Sequence, residues 1–258
     1  MNQQEPIICI RDLRKNYGSK AVLKGIDLEI LPGEVIGYIG PNGAGKSTTV
    51  KILTGLISDF AGTITIDGKD LRTDILAIKA MIGYVPENAE LYEVLTPLEY
   101  LDFIGKLYGM EEAVIAARAT KLLTALGLAE QLYKRMDTFS KGMRQKVLLV
   151  AGMIHNPKIL ILDEPLSGLD ANAVITVKEL IARLAQEGKT IFYCSHMMDV
   201  VEKVSDRILL INEGTIVANG SFEQLKQEHG ATLEHVFAKL TGRNDMTDGA
   251  AAIIAAFK

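Results

Sequence analysis

Apolar positions fall into short strand-like runs separated by helical patterns. Ile7 to Leu13 and Ala21 to Ile30 read as strands around a turn at Asn16-Tyr17-Gly18-Ser19, the second alternating Ile26, Leu28 and Ile30 with Asp27 and Glu29. An antiparallel edge is expected there. Val35 to Ile39 is a nearly unbroken apolar run, suited to a strand buried on both faces, and Thr48 to Leu53 continues as a helix. Gly62 to Ile66 alternates and closes on Asp67-Gly68, a hairpin signal, before a short helix at Ile75 to Met81 and a strand at Ile82 to Val85.

The pattern then changes. From Thr96-Pro97, an N-cap followed by proline at the first helical position, to Ile154, helical spacing replaces strand spacing. Leu98, Leu101, Ile104, Leu107 and Tyr108 share one face of a first helix and are expected in the core; Ala119, Leu122, Leu123 and Leu126 share a face of a second, stopped by Gly127. A third starts at Ser140, whose hydroxyl would cap it. Strand and helix then alternate: Ile159 to Leu162, a helix from Ala171 to Glu187, Thr190 to Cys194, Arg207 to Ile211, and a last strand from Thr215 to Ala218. Such alternation with apolar strands predicts a mostly parallel sheet covered by helices. Beyond Ser221 two short amphipathic helices are expected, then a weakly patterned tail from Asp245 to Lys258.

Between the Val35 strand and the next helix lies Gly40-Pro41-Asn42-Gly43-Ala44-Gly45-Lys46-Ser47-Thr48. Glycines at these positions let successive backbone N-H groups line a concavity at a helix N-terminus, which holds polyphosphate oxygens. Lys46 would reach the β and γ phosphates, and the Ser47 hydroxyl would hold Mg²⁺. A flexible surface turn is the plain alternative, which the flanking strand and helix disfavour. Further on, Ile159-Leu160-Ile161-Leu162-Asp163-Glu164-Pro165 sets two acids at the carboxyl end of an apolar strand, where open α/β sheets bind ligands. Asp163 suits Mg²⁺ or its waters, and Glu164, one residue on, suits deprotonation of a water attacking the γ-phosphate.

Composition narrows the class. The 258 residues, 48% hydrophobic and 23% charged, fit one large domain, or one with an insertion, and the apolar runs are too short to span a bilayer. The polar Met1 to Pro6 lacks a secretory pattern, so a cytosolic address is expected. The two cysteines, Cys9 and Cys194, each fall in an expected buried strand, which suits small apolar residues in a reducing compartment. A net charge of −4 without a basic block argues against a nucleic-acid partner.

With these motifs, residues 7 to about 220 resemble the nucleotide-binding subunits of ATP-binding-cassette (ABC) transporters. The resemblance implies an α/β fold of the P-loop NTPase type: a mostly parallel sheet core, an antiparallel β subdomain and an inserted α-helical subdomain. The ATPase domain would span residues 1–230, with the insertion at about 88–155 and a short C-terminal extension at 231–258. Tyr17 matches the aromatic that stacks on adenine, although an exposed turn tyrosine is the plain reading of that residue alone. Ser167-Gly168-Leu169-Asp170 matches the loop that crosses a dimer interface, and His196, after Ser195, matches the histidine that senses the γ-phosphate. The nucleotide would be held by Gly40 to Thr48 of one copy and by Ser140, Gly142, Met143 and Asp170 of a partner cassette.

Two positions depart from the family pattern. The signature usually written Leu-Ser-Gly-Gly-Gln reads Phe139-Ser140-Lys141-Gly142-Met143 here. Ser140 and Gly142 keep a capping hydroxyl and close backbone approach, Lys141 adds a positive charge expected to favour nucleotide, and a glutamine side chain is lost at Met143. Glu87 replaces the usual glutamine that contacts the metal; a carboxylate still ligates Mg²⁺ but donates no hydrogen bond. These departures, the stretch from Ile82 to Glu87, and Thr232 to Gly242 resemble two-component exporters of drugs and other hydrophobic compounds. The resemblance thus implies ATP hydrolysis with Mg²⁺, a dimer of two such cassettes and a separate membrane permease. Its cytoplasmic helix would dock around Glu87 to Thr96, with Leu91 and Tyr92, on the cytoplasmic face. The rival is a soluble cassette ATPase in an assembly or nucleic-acid machine; the second cassette, coiled-coil arms or basic extensions usual there are absent. A GTPase would need an Asn-Lys-x-Asp stretch, which does not occur.

Overall fold

The computed structural model describes residues 4–87, 91–230, 232–242 and 257. An antiparallel sheet is formed by β1 (Ile8–Tyr17), β2 (Lys20–Ile30), β4 (Ala61–Ile66) and the two-residue β5 (Lys69–Asp70), in the order β2-β1-β4-β5. Its alternation is as the pattern requires: Ile8 and Ile10 are buried, while Cys9 between them faces the other side and is only half-buried. Cys9 is therefore not the core residue expected, because neighbours along a strand point to opposite faces. Tyr17, expected in the turn, is the last residue of β1 and pairs with Lys20.

The second sheet has the order β10-β9-β3-β8-β7-β6, built from β3 (Val35–Ile39), β6 (Ile82–Val85), β7 (Ile159–Asp163), β8 (Thr190–Cys194), β9 (Arg207–Asn212) and β10 (Thr215–Gly220). All its pairings are parallel except the β9–β10 hairpin. Each central strand sends alternate side chains into two different cores. Ile36, Tyr38, Ile159, Ile161, Phe192 and Cys194 join α1 (Lys46–Leu53) and the antiparallel sheet. Val35, Ile39, Leu160, Leu162, Ile191 and Tyr193 face the helices on the other side. Burial on both faces explains why these strands read as unbroken apolar runs.

The helical stretch holds α3 (Pro97–Leu107), α4 (Glu112–Ala125) and α5 (Lys141–Met153), after α2 (Ile75–Met81). Thr96 caps α3 in a reciprocal capping box with Glu99. The α3 face differs from the expected one: Tyr100, Leu101 and Gly105 are buried, whereas Leu107 and Tyr108 are exposed. The helix ends at Leu107, so its last apolar residues project past the core. Tyr108 instead stacks on His155, with ring centroids 3.6 Å apart. Ser140 caps α5 by accepting from Met143 N at 3.2 Å.

After α6 (Ala171–Gln186), β8 leads into α7 (Met198–Val204), and β10 into α8 (Phe222–His229) and α9 (Leu233–Thr241). Leu233 and Val236 of α9 are fully buried in the same core as Val200 and Val201 of α7. The expected tail from Asp245 falls outside the described residues except for the exposed Phe257.

Candidate nucleotide site

Four adjacent parallel strands, β3, β8, β7 and β6, end side by side, and their carboxyl ends bring the chemical residues together. After β3 comes the 40–45 loop and α1; after β8, Ser195 and His196; at the end of β7, Asp163 and Glu164; beyond β6, Glu87. They surround a cleft of about 580 Å³, lined by Asn42, Gly43, Gly45 to Thr48, Glu87, Asp163, Glu164 and His196. Its remaining wall is Lys20 and Val22 of β2, which sequence reasoning did not single out. No local motif marks them, because only the packing of the two sheets brings β2 to the cleft.

The loop is held from below. Gly40 lies so close to β9 that a Cβ would meet the Ile211 carbonyl oxygen at 2.3 Å, and Gly45 similarly abuts Leu23. Gly40 serves packing alone, Gly45 serves both packing and a left-handed backbone with φ of +116°, and Gly43, with φ of +81° and open space around it, serves the turn. Gly45 is the N-cap of α1 and offers no side-chain cap, so the first N-H groups of the helix remain available to an anion. Tyr38 Oη and Thr49 Oγ1 share a hydrogen bond of 3.1 Å, and Thr49 Oγ1 donates to Gly45 O at 3.1 Å, tying the helix start to β3. Lys46 Nζ donates to Gly40 O at 2.5 Å and Pro41 O at 3.2 Å. Burial pushes its pKa down, against the nearby acids that raise it.

Opposite stands an acidic cluster. Burial, and then the charges of Glu87 and Glu164, push Asp163 up to about 6. Burial raises Glu164 as well, opposed by the hydrogen bond from Ser195 Oγ to its Oε2 at 3.1 Å. Its φ of 49° is a left-handed conformation rare for a non-glycine residue, and its N-H donates to Cys194 O at 2.9 Å, binding the end of β7 to β8. His196 Nε2 is 3.7 Å from Glu164 Oε1. Burial and Lys46 lower its pKa against the charges of Glu87 and Asp163, which disfavours an ion pair at this contact.

Other expected site residues lie elsewhere. Tyr17 is half-exposed beside Lys20, with Lys15 Nζ 5.0 Å from its ring centroid. Ser140, Gly142, Met143 and Asp170 do not line the cleft. Asp170 caps α6, its Oδ1 accepting from Ala173 N at 2.9 Å, and its Oδ2 is 3.3 Å from Lys146 Nζ. Gly142 packs against Gly168, and Lys141 Nζ donates to Ser167 Oγ at 2.9 Å. In this chain the Lys141 charge thus serves an internal contact.

A family model described as ABC transporter matches residues 23–167, more than half of the chain. The chain belongs to the ABC transporter family. The linearmycin resistance ATP-binding protein LnrL of Bacillus subtilis is 38% identical over 210 residues, covering 81% of this chain and 68% of that protein. The daunorubicin resistance ATP-binding protein DrrA3 of Streptomyces coeruleorubidus is 33% identical over 92% of this chain and 75% of its own length. A solved ATP-binding subunit of an ABC transporter superposes with a TM-score of 0.85 at 32% identity, covering 91% of this chain and 99% of that one. This ABC cassette is an ATP-binding subunit and an ATP hydrolase, with the P-loop fold expected from its sequence.

The cleft also suits the cofactor that such hydrolysis needs. Among the described residues no group of three His, Cys, Asp or Glu side chains is arranged to hold a metal alone. The cleft does bring together the Ser47 hydroxyl and the carboxylates of Glu87 and Asp163, donors of the kind Mg²⁺ takes together with waters and substrate phosphates. Burial, and after it the charges of Glu87 and Glu164, raise Asp163, and a divalent cation bound there would offset both.

Proposed function

We propose that this chain hydrolyses Mg-ATP in the cleft at the strand ends and thereby drives a separate membrane permease. The observation that carries the reading is the convergence of Lys46, Ser47, Glu87, Asp163, Glu164 and His196 on one cleft at the N-terminus of α1. On binding, Lys46 exchanges the carbonyls of Gly40 and Pro41 for oxygens of the β and γ phosphates, while the α1 amides and Gly43 to Thr48 cradle the chain of phosphates. Ser47, Asp163 and Glu87 are the donors for Mg²⁺, which when bound screens phosphate charge as it develops. Glu164 accepts the proton of the attacking water; its raised pKa brings it closer to neutrality, where a base works best. His196 has a ring N-H to donate to a γ-phosphate oxygen, and Tyr17 stacks on the base.

The partners follow from what lies outside the cleft. Ser140 and Gly142 at the α5 start, with Met143 and Asp170, are left for the nucleotide of a second cassette in a head-to-tail dimer. In the proposed assembly the spanning part belongs to permease subunits and this chain sits on their cytoplasmic face; no helix among the described residues is long and apolar enough to cross a membrane. Of the docking stretch, residues 88–90 lie outside the described residues; Leu91, expected on that surface, is instead buried in the core, and Tyr92 and Val94 are the exposed apolar residues. Relatives named for linearmycin and daunorubicin resistance support export of drug-like, lipid or other hydrophobic compounds.

The test is Glu164→Gln. It should still bind ATP but turn over roughly 10²- to 10⁴-fold more slowly, the typical contribution of a general base. Size-exclusion chromatography in Mg-ATP should show a dimer that accumulates in the variant. Wild-type turnover by this variant would remove Glu164 from the reaction. A monomer under all conditions would count against the self-paired sandwich.

A further inference from the structure

Gln145 is buried on α5, away from the cleft, and its Nε2 donates to Pro165 O at 3.1 Å. Its neighbours on the helix grip the same loop. A Cβ on Gly142 would lie 2.5 Å from Gly168 O, the Lys141 stem packs on Gly168 below its bond to Ser167, and Lys146 meets Asp170. Positions 141, 142, 145 and 146 fall on one helical face, so the first two turns of α5 follow the loop from Pro165 to Asp170. That loop begins at Glu164, whose carbonyl accepts from Ser167 N at 3.1 Å. One side of the turn carries the carboxylate; α5 fixes the other.

We propose that Gln145 is a positioning residue for Glu164, and that this clasp joins the start of α5 to the carboxylate acting in the chain's own cleft. The inference rests on Glu164 being the general base. The bond to the Pro165 carbonyl restrains the peptide that follows Glu164, whose own backbone is held at a φ of 49°. Without it the carboxylate drifts, and displacements on the order of 1 Å cost catalysts up to about 10²-fold.

The experiment uses the full chain with Gln145→Met, which keeps length and flexibility but removes the donor. Turnover should fall roughly 10- to 100-fold, with KM for ATP and fluorescent-nucleotide affinity within about twofold of wild type. In a Glu164→Gln background, adding Gln145→Met should change the residual rate by less than about twofold, because the group it positions is gone. A full additional loss in that background, or wild-type turnover by Gln145→Met, would overturn the proposal. If Gln145→Met does not fold, Lys146→Met replaces it. A smaller loss that likewise vanishes with Glu164→Gln is expected, and a loss that persists refutes the coupling. Wild-type turnover by Glu164→Gln alone would instead defeat the assignment of the base.

Discussion

Replacing Asp163 by asparagine should make the nucleotide-free protein more stable while disabling it. Asp163 sits at about 6 in the folded chain against an ordinary 3.8. The folded state thus holds this proton more tightly than the unfolded one, so ionisation destabilises the fold. The penalty is absent below the unfolded value, grows as pH rises between the two values, and is complete above about 6. Two pKa units would correspond to about 3 kcal/mol; the carboxyl group keeps part of its hydration, which reduces the figure to about 1–2 kcal/mol. Asparagine mimics the protonated acid and removes the penalty. For a chain of this size that raises the melting midpoint by roughly 2–4 °C at pH 8. At pH 5 the folded acid is mostly protonated and the unfolded one mostly ionised, so the gain should shrink to roughly half. Calorimetry in EDTA without nucleotide, at both pH values, measures this directly. No gain at pH 8, or the same gain at both, would refute the assignment of this penalty to a carboxylate buried beside Glu87 and Glu164. Mg-ATP hydrolysis by the variant should be severely reduced.

Two further outcomes are expected. Lys46→Ala removes the ammonium facing the phosphates and should weaken ATP binding roughly 10- to 100-fold in a titration, the range of a charge-assisted hydrogen bond; unchanged affinity would contradict the clamp. Gly40→Ala drives a Cβ into the Ile211 carbonyl, a backbone atom with no room to move, and should cost roughly 1–3 kcal/mol, read as a lower melting midpoint; a midpoint equal to wild type would show that β3 and β9 approach less closely.

Much of this was legible in the sequence because local chemistry and long-range packing agree. The limits of β3, α2, β6 and β8 coincide with the expected ones, since strand burial on two faces and helix burial on one leave different periodicities. Thr96-Pro97 and Ser140 announced helix starts through their caps. The seven-residue α7 was not anticipated: Met197 provides no side-chain cap, and only Val200 and Val201 are buried. Gln145 was equally silent, because its significance is a bond to a carbonyl twenty residues later along the chain. Residue type revealed Lys46, Asp163 and Glu164, whereas Lys20 and Val22 reached the cleft only through the meeting of two sheets.

The placement of β3 sets a clock on biogenesis. The strand that carries the phosphate loop pairs only with β8 and β9, and Val35 N donates at 2.8 Å to Asp206, 171 residues later. On a ribosome adding about 5–20 residues per second, the loop emerges roughly 10–30 s before the strands that flank it. During that interval the Val35 to Ile39 segment has both edges unpaired, and the face carrying Val35 and Ile39 lacks the later helices that cover it. The nascent chain therefore carries an unpaired apolar strand early and acquires a nucleotide cleft only after most of its length has been made.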